Sequence, residues 1–270
     1  MFYTNVARYS NYILYRGYDD LGKKVFKKEK FKPKFFVPSK TETGWRGLDG
    51  NHIGEVDFDS MKEARDWLEQ YQHVTGFQVY GTNNYLHQYV TRKFPKDIRF
   101  DRDKINVTTI DIETEYEGGF PQVEVADQRV LAITIKNNID GIYHVWGLQD
   151  YDTEKALIKP VNYVKCESEP ELLARFVSHW RQEENLPDVI TGWNVRFFDI
   201  PYLINRVNRI CGVDMVRQFS PWGLIDQRKI RRLNREEMTY DIKGIQTMDY
   251  LELFQKFGYS YGKQESYKLD

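Results

Sequence analysis

Asp111 and Glu113 stand two positions apart in TTIDIETEYEGG (residues 108–119), inside an otherwise β-branched run. Alternate side chains on a strand share a face, so Ile110 and Ile112 turn one way and the two carboxylates the other. Like charges so close repel, and each resists losing its water. A second run, TGWNVRFFDIPYLINR (191–206), leaves a short predicted strand at Thr191, crosses Gly192-Trp193-Asn194 and reaches Asp199 just ahead of Ile200-Pro201. Alone, each acid has a plain structural account. Asp111 and Glu113 fit the exposed face of an edge strand, and Asp199 fits a helix N-cap before a first-turn proline. Together, at the ends of strands in an open α/β sheet, they suit a ligand site. Mg²⁺ takes a few carboxylate oxygens and keeps its waters. A pair of such ions roughly 4 Å apart can clamp the attacking water and the leaving oxygen of a phosphodiester. A bound divalent metal would offset the repulsion between Asp111 and Glu113.

These residues must be placed by a scaffold. From about residue 106 the pattern alternates strand and helix: a strand at 107–114, a hairpin of 130–136 and 142–146, and a short buried strand at 188–191. Ser168-Glu169-Pro170-Glu171 opens a helix whose apolar stripe is Leu172, Leu173, Phe176, Val177 and Trp180. Further helices are predicted at about 200–210 and 249–257, the second with Asp249 as its N-cap. Residues 229–242 (KIRRLNREEMTYDI) read as a hairpin with a polar tip. The expected fold is a mixed sheet covered by helices over 106–270, preceded by a smaller β-rich α+β domain over 1–105. In that first part, strands at 12–15 and 24–26 join across Asp19-Asp20-Leu21-Gly22, Lys34–Val37 follows, and a capping box at Ser60 and Glu63 starts a helix.

The chain has 270 residues, 41% of them apolar and 15% aromatic, enough for a buried core. Its 39 basic and 40 acidic residues nearly cancel, so only local patches can speak for a charged partner. One such patch holds seven lysines between residues 23 and 34. It reads either as a solvated face guarding a sheet edge or as a nucleic-acid phosphate patch with Val25, Phe26 and Phe31 in reach. Cys166 and Cys211 lie far apart without metal-ligand spacing, as in a reducing compartment. MFYTNVARYS carries no apolar secretory core, and no run spans a bilayer. The expectation is a cytoplasmic protein with no membrane partner.

Asp111-Ile112-Glu113 followed by Asn194-x-x-x-Phe198-Asp199 resembles the first two exonuclease motifs of the family B DNA polymerases. Gly192-Trp193-Asn194, Asp199 to Arg206, Phe219-Ser220-Pro221 and Thr247 to Leu251 are similar to the T-even phage branch, which would place the chain in a host cell's cytoplasm. The resemblance implies a ribonuclease-H-like 3′–5′ proofreading domain acting on single-stranded DNA ends with two Mg²⁺ or Mn²⁺ ions. Asp111 would bridge both ions, Glu113 would bind one and Asp199 would help hold the other. Asn194 and Phe198 would order the loop and meet the terminal nucleotides, with Trp193 and Phe197 as helpers or as core. The hairpin at 229–242 would help part the primer end from the template.

The family's third motif, Tyr-x-x-x-Asp, is expected several tens of residues beyond Ser266–Asp270, where Tyr267 and Asp270 have the wrong spacing and Ser-Tyr-Lys-Leu-Asp resembles a helix start. Residues 1–270 alone are therefore expected to be a weak or inactive nuclease, completed by the rest of the polymerase chain in cis or from a second polypeptide. Two other readings compete. One is a non-catalytic module holding single-stranded DNA or RNA through residues 23–34; the other is a stand-alone nuclease of the same fold.

Overall fold

The computed structural model describes residues 1–116, 118–232, 235–262, 264 and 266–267. The chain divides into two compact units, Met1–Phe100 and Asp101–Asp270.

The first unit opens with a three-stranded antiparallel sheet of β1 (Phe2–Tyr9), β2 (Tyr12–Tyr18) and β3 (Lys24–Lys30), with β2 in the middle. A separate two-stranded ribbon pairs β4 (Lys34–Pro38) with β5 (Ile53–Asp57). Helices α1 (Met61–Tyr71) and α2 (Tyr85–Lys93) complete the unit. Ser60 caps α1 by accepting from the N–H of Glu63, and Glu63 reaches back to the N–H of Asp59, one residue before the partner a capping box would use. Ile13, Tyr15, Phe35, Phe58 and Ala64 form the core. The lysine-rich run covers the edge strand β3 and continues to Lys34 at the start of β4. Lys28 stands over the rings of Tyr9 and Tyr12, Lys32 pairs with Asp59, and Lys34 pairs with Glu55. At least three of the seven lysines thus have partners within the unit.

The second unit is built on a six-stranded mixed sheet. In chain order its strands are β6 (Val107–Thr114), β7 (Val130–Asn137), β8 (Tyr143–Gly147), β9 (Val161–Lys165), β10 (Val189–Gly192) and β13 (Gln246–Asp249). Across the sheet they run β13-β10-β6-β7-β8-β9. The pairs of β10 with β13 and with β6 are parallel, as is β8 with β9; β6–β7 and β7–β8 are antiparallel. Between them lie α3 (Glu169–Trp180), α4 (Asp199–Cys211), the short α5 (Val213–Arg217), the hairpin of β11 (Ile225–Arg232) and β12 (Arg235–Ile242), and α6 (Tyr250–Phe257). This is the α/β architecture that the sequence predicts, with a β-rich α+β part before it.

The predicted stripe of α3 is buried at all five positions and packs on β7 and β8, with Phe176 meeting Trp146 edge-on at 5.4 Å. The hairpin is longer than its polar sequence suggests, and its tip, residues 233–234, lies outside the described residues. Lys268, Leu269 and Asp270, in the stretch expected to open a helix, also lie outside them. Among the described residues no helix is long and apolar enough to cross a membrane.

Candidate functional site

Strand β6 is interior, with β10 on one side and β7 on the other. Its burial alternates as the sequence requires: Ile110 and Ile112 are buried, while Asp111 and Glu113 stand on the open face. The edge-strand account of the two acids holds only locally: β6 is interior at its start, but β10 pairs with it only through Thr109, so at Asp111 and Glu113 its paired neighbour is β7. Two carboxylates on one open face, two residues apart, are left with each other's charge. Desolvation raises the pKa of Asp111, and desolvation together with the charge of Asp111 raises that of Glu113.

Asp199 arrives from 88 positions away. It is not the N-cap that its place before Pro201 suggests. Phe198 occupies the cap, and Asp199 is the first residue of α4. Its Oδ1 instead accepts from the backbone N–H of Ile112 at 3.1 Å. The physical reason is a gap in the sheet. Strand β10 pairs with β6 only as far as Thr109, so Ile112 lies beyond the partner strand and takes a side-chain acceptor. Asp199 is only 2% exposed. Burial first, and then the charge of Asp111, hold its carboxyl up at about 7 against the opposing pull of the hydrogen bond from Ile112 N–H. Asp111 thus acts electrostatically on both other acids. Among the described residues, no cationic side chain appears among the influences on any of the three.

The loop between β10 and α4 is held by close backbone approach and by a second buried acid. A Cβ on Gly192 would lie 2.6 Å from the carbonyl oxygen of Ile110, so only glycine lets the chain cross there. Asn194 takes a left-handed conformation at φ 60°, which asparagine tolerates better than most residues. Asp249 caps α6 as expected, accepting from the N–H groups of Leu251 and Glu252. It also accepts from Asn194 N–H at 3.2 Å and Arg196 N–H at 2.9 Å, pinning the loop to the start of α6. Trp193 is half-buried against Tyr250 and Phe254 and donates its indole N–H to the carbonyl of Tyr267 at 2.8 Å. Phe197 is also half-buried. Phe198 stacks at a tilt on Tyr202 and on Phe120, whose ring is 72% exposed.

Phe120 escapes the motif reading, as does the device that holds its loop. Tyr202, Asn205, Arg206 and Arg209 recur along α4 at the spacing of one helix face, and all four donate to main-chain carbonyls of residues 123–128. Arg206 also grips Glu169 through two bonds of 2.7 Å, with both side chains about 5% exposed, and Glu169 accepts from Val130 N–H. The signal was present in the polar residues of INRVNR, but a polar helix face reads first as a solvated one. Two further contacts tie the hairpin to this region: Thr239 donates to the carbonyl of Arg196, and the Tyr240 hydroxyl to Asn205.

With hard oxygen donors and no cation beside them, Asp111, Glu113 and Asp199 match the donor chemistry of Mg²⁺ or Mn²⁺. Among the described residues no three such side chains are drawn together closely enough to cage an ion by themselves. An ion held there would have to take its remaining ligands from water or substrate oxygens.

Comparison with known proteins points the same way. The chain is 28% identical to the DNA-directed DNA polymerase of Enterobacteria phage T4 and 27% identical to that of Escherichia phage RB69, alignments covering 96% and 100% of it. It spans about a third of the length of those two relatives. A shorter alignment, over 43% of the chain at 25% identity, reaches the DNA polymerase catalytic subunit of Equine herpesvirus 2. The model of the DNA polymerase family B exonuclease domain matches residues 72–270, and the chain belongs to that family.

Proposed function

We propose that residues 106–270 form a 3′–5′ exonuclease domain that removes nucleotides from single-stranded DNA ends for a phage-type replicative polymerase, with residues 1–105 as a separate β-rich domain. The observation that carries this reading is the bond from Ile112 N–H to Asp199, which sets a buried acid within the field of Asp111. An acid whose burial and neighbour both favour the protonated state is an expensive arrangement unless a cation joins it.

Asp111, Glu113 and Asp199 would hold two divalent ions, which when bound would supply charge stabilisation to the leaving oxygen and a more acidic water. The chain's own residues do the rest. Asp199, raised to about 7, would have to lose its proton to serve as a ligand, so metal binding would weaken below neutral pH. Asp249 and Gly192 fix the loop that carries Asn194, Phe197 and Phe198. Phe198 with Phe120 offers an aromatic ledge to an unpaired terminal base, a sequence-tolerant contact of about 1–3 kcal/mol per base. The fourth carboxylate and the tyrosine of the third motif belong, in this reading, to the polymerase chain beyond these residues, so turnover by residues 1–270 is slow.

The test therefore reads binding as well as turnover. Mn²⁺ titrated into the protein and followed by electron paramagnetic resonance should bind saturably, and Asp111→Asn should weaken that binding at least tenfold. Release of mononucleotides from a 5′-labelled single strand should fall with it. Mn²⁺ binding that is indifferent to Asp111→Asn and Asp199→Asn would sink the reading.

A further inference from the structure

The open face of the sheet does not end at the two acids. The strand registers lay out a grid. Asp111 sits beside Thr134 of β7, Thr134 beside Val145 of β8, and Val145 beside Tyr163 of β9. The row before it runs Thr109, Lys136, Tyr143, Val161. Residues in one row share a face, and neighbouring strands lie about 4.8 Å apart, so Tyr163 stands roughly 14 Å from Asp111 on the same face of the sheet. The other face of the same strands, with Ile133, Ile135 and Trp146, is buried.

At the far end of this track is a cavity of about 410 Å³, lined by Thr134, Tyr143, Val145, Tyr151, Val161 and Tyr163 and roofed by Lys155 to Ile158. That size falls within the range of small-molecule sites, about 300–1,000 Å³. Tyr151 and Tyr163 lie with ring centroids 5.2 Å apart. Two amines stand nearby: Lys136 lies 4.3 Å over the ring of Tyr143, and Lys155 is at the mouth, in a surface pair with Asp152. Leu157, Ile158 and Tyr151 are well exposed there. Faces of tyrosine, an apolar floor and amines at the rim are the groups that accept a flat base and its phosphate.

We propose that this cavity is a nucleotide subsite: it takes the base of an unpaired nucleotide in the same DNA strand whose 3′ end lies at Asp111. The inference rests on the exonuclease reading and adds a second, remote grip on the strand. A remote grip favours strands long enough to bridge both points, so binding gains a length threshold that the acids alone do not impose.

Fluorescence anisotropy with single-stranded DNA of two and of eight nucleotides tests it, in the presence of Ca²⁺ to suppress turnover. Tyr151→Ser removes a ring from an exposed loop position, and Val145→Phe fills the cavity from its floor. Each should weaken the octanucleotide about five- to tenfold and leave the dinucleotide unchanged. Circular dichroism shows whether the variants fold, and Tyr151→Ser alone suffices if Val145→Phe does not. Wild-type protein that binds neither oligonucleotide would remove the exonuclease reading itself. Wild-type binding whose length dependence survives both variants would overturn the cavity proposal alone. Free dTMP binding that Val145→Phe abolishes while the octanucleotide is unaffected would overturn it too, by showing a site for loose nucleotides and not for the strand.

Discussion

Two groups of carboxylates in the second unit follow opposite rules. Glu169, beneath the sheet, has Arg206 along both oxygens and Val130 N–H besides, and Arg206 spends its remaining donor capacity on the carbonyls of Ala126 and Asp127. Asp249 is buried as deeply and accepts from four main-chain N–H groups. Every buried charge in that framework is answered by the protein. For Asp111, Glu113 and Asp199 the only answer among the described residues is backbone N–H at Asp199; burial raises all three, and the charge of Asp111 raises the other two. The contrast separates carboxylates that hold the fold from carboxylates held ready for something else. It also shows why acid count is a poor guide to a site: the discriminating feature is the missing partner.

The largest effect expected from breaking this contrast is on the framework side. Arg206→Met keeps the volume of the stem but strands Glu169 and takes a donor from the carbonyls of Ala126 and Asp127. Loss of one partner of a buried pair costs about 3–5 kcal/mol. Urea unfolding should show that loss; a change below about 1 kcal/mol would mean that water enters and the pair is not structural.

On the other side the sign reverses. The folded, metal-free protein keeps a proton on Asp199 up to about pH 7, whereas the unfolded chain releases it near the ordinary aspartate value of 3.8. The folded state therefore binds more protons in between, and the free energy of unfolding falls as pH rises from about 4 to about 7, then levels off. Asp199→Asn keeps an acceptor for Ile112 N–H and removes that penalty. At pH 8 without metal it should be more stable than the parent by about 1–3 kcal/mol, with no difference below pH 4. Added Mn²⁺ should reverse the order, stabilising the parent alone. Thermal melts at several pH values, with and without Mn²⁺, decide it, and a parent that melts higher than Asp199→Asn throughout without metal would refute the argument.

The smallest effect sharpens the coupling within the acid group. Asp111→Asn removes the nearer charge acting on Asp199, so the pH range over which stability declines should move downward by a fraction of a unit to about one unit. The same melts across pH resolve it. An unmoved range would mean that burial alone governs Asp199.

Much of the framework was legible in the sequence because its causes are local. The alternation of Ile110, Asp111, Ile112 and Glu113 specifies the open face of β6, and the stripe from Leu172 to Trp180 specifies the buried side of α3. The short edge strand β9 and strand β13 were not foreseen; each is brief, and neither has the alternation that marks a longer strand. Asp199 was found as a residue, through its resemblance to a motif, but its local signal pointed to a helix cap, and the structure gives that post to Phe198.

Residue types and periodicities thus determined which side chains face solvent on each element, since those choices depend on neighbours within a few positions. Whether an acid finds a partner depends on chain segments brought together from far away. Arg206 reaches Glu169 across 37 positions, and Asp199 reaches Ile112 across 87. Only the tertiary structure could say that one carboxylate closes its charge on an arginine while another meets, among the described residues, only backbone N–H.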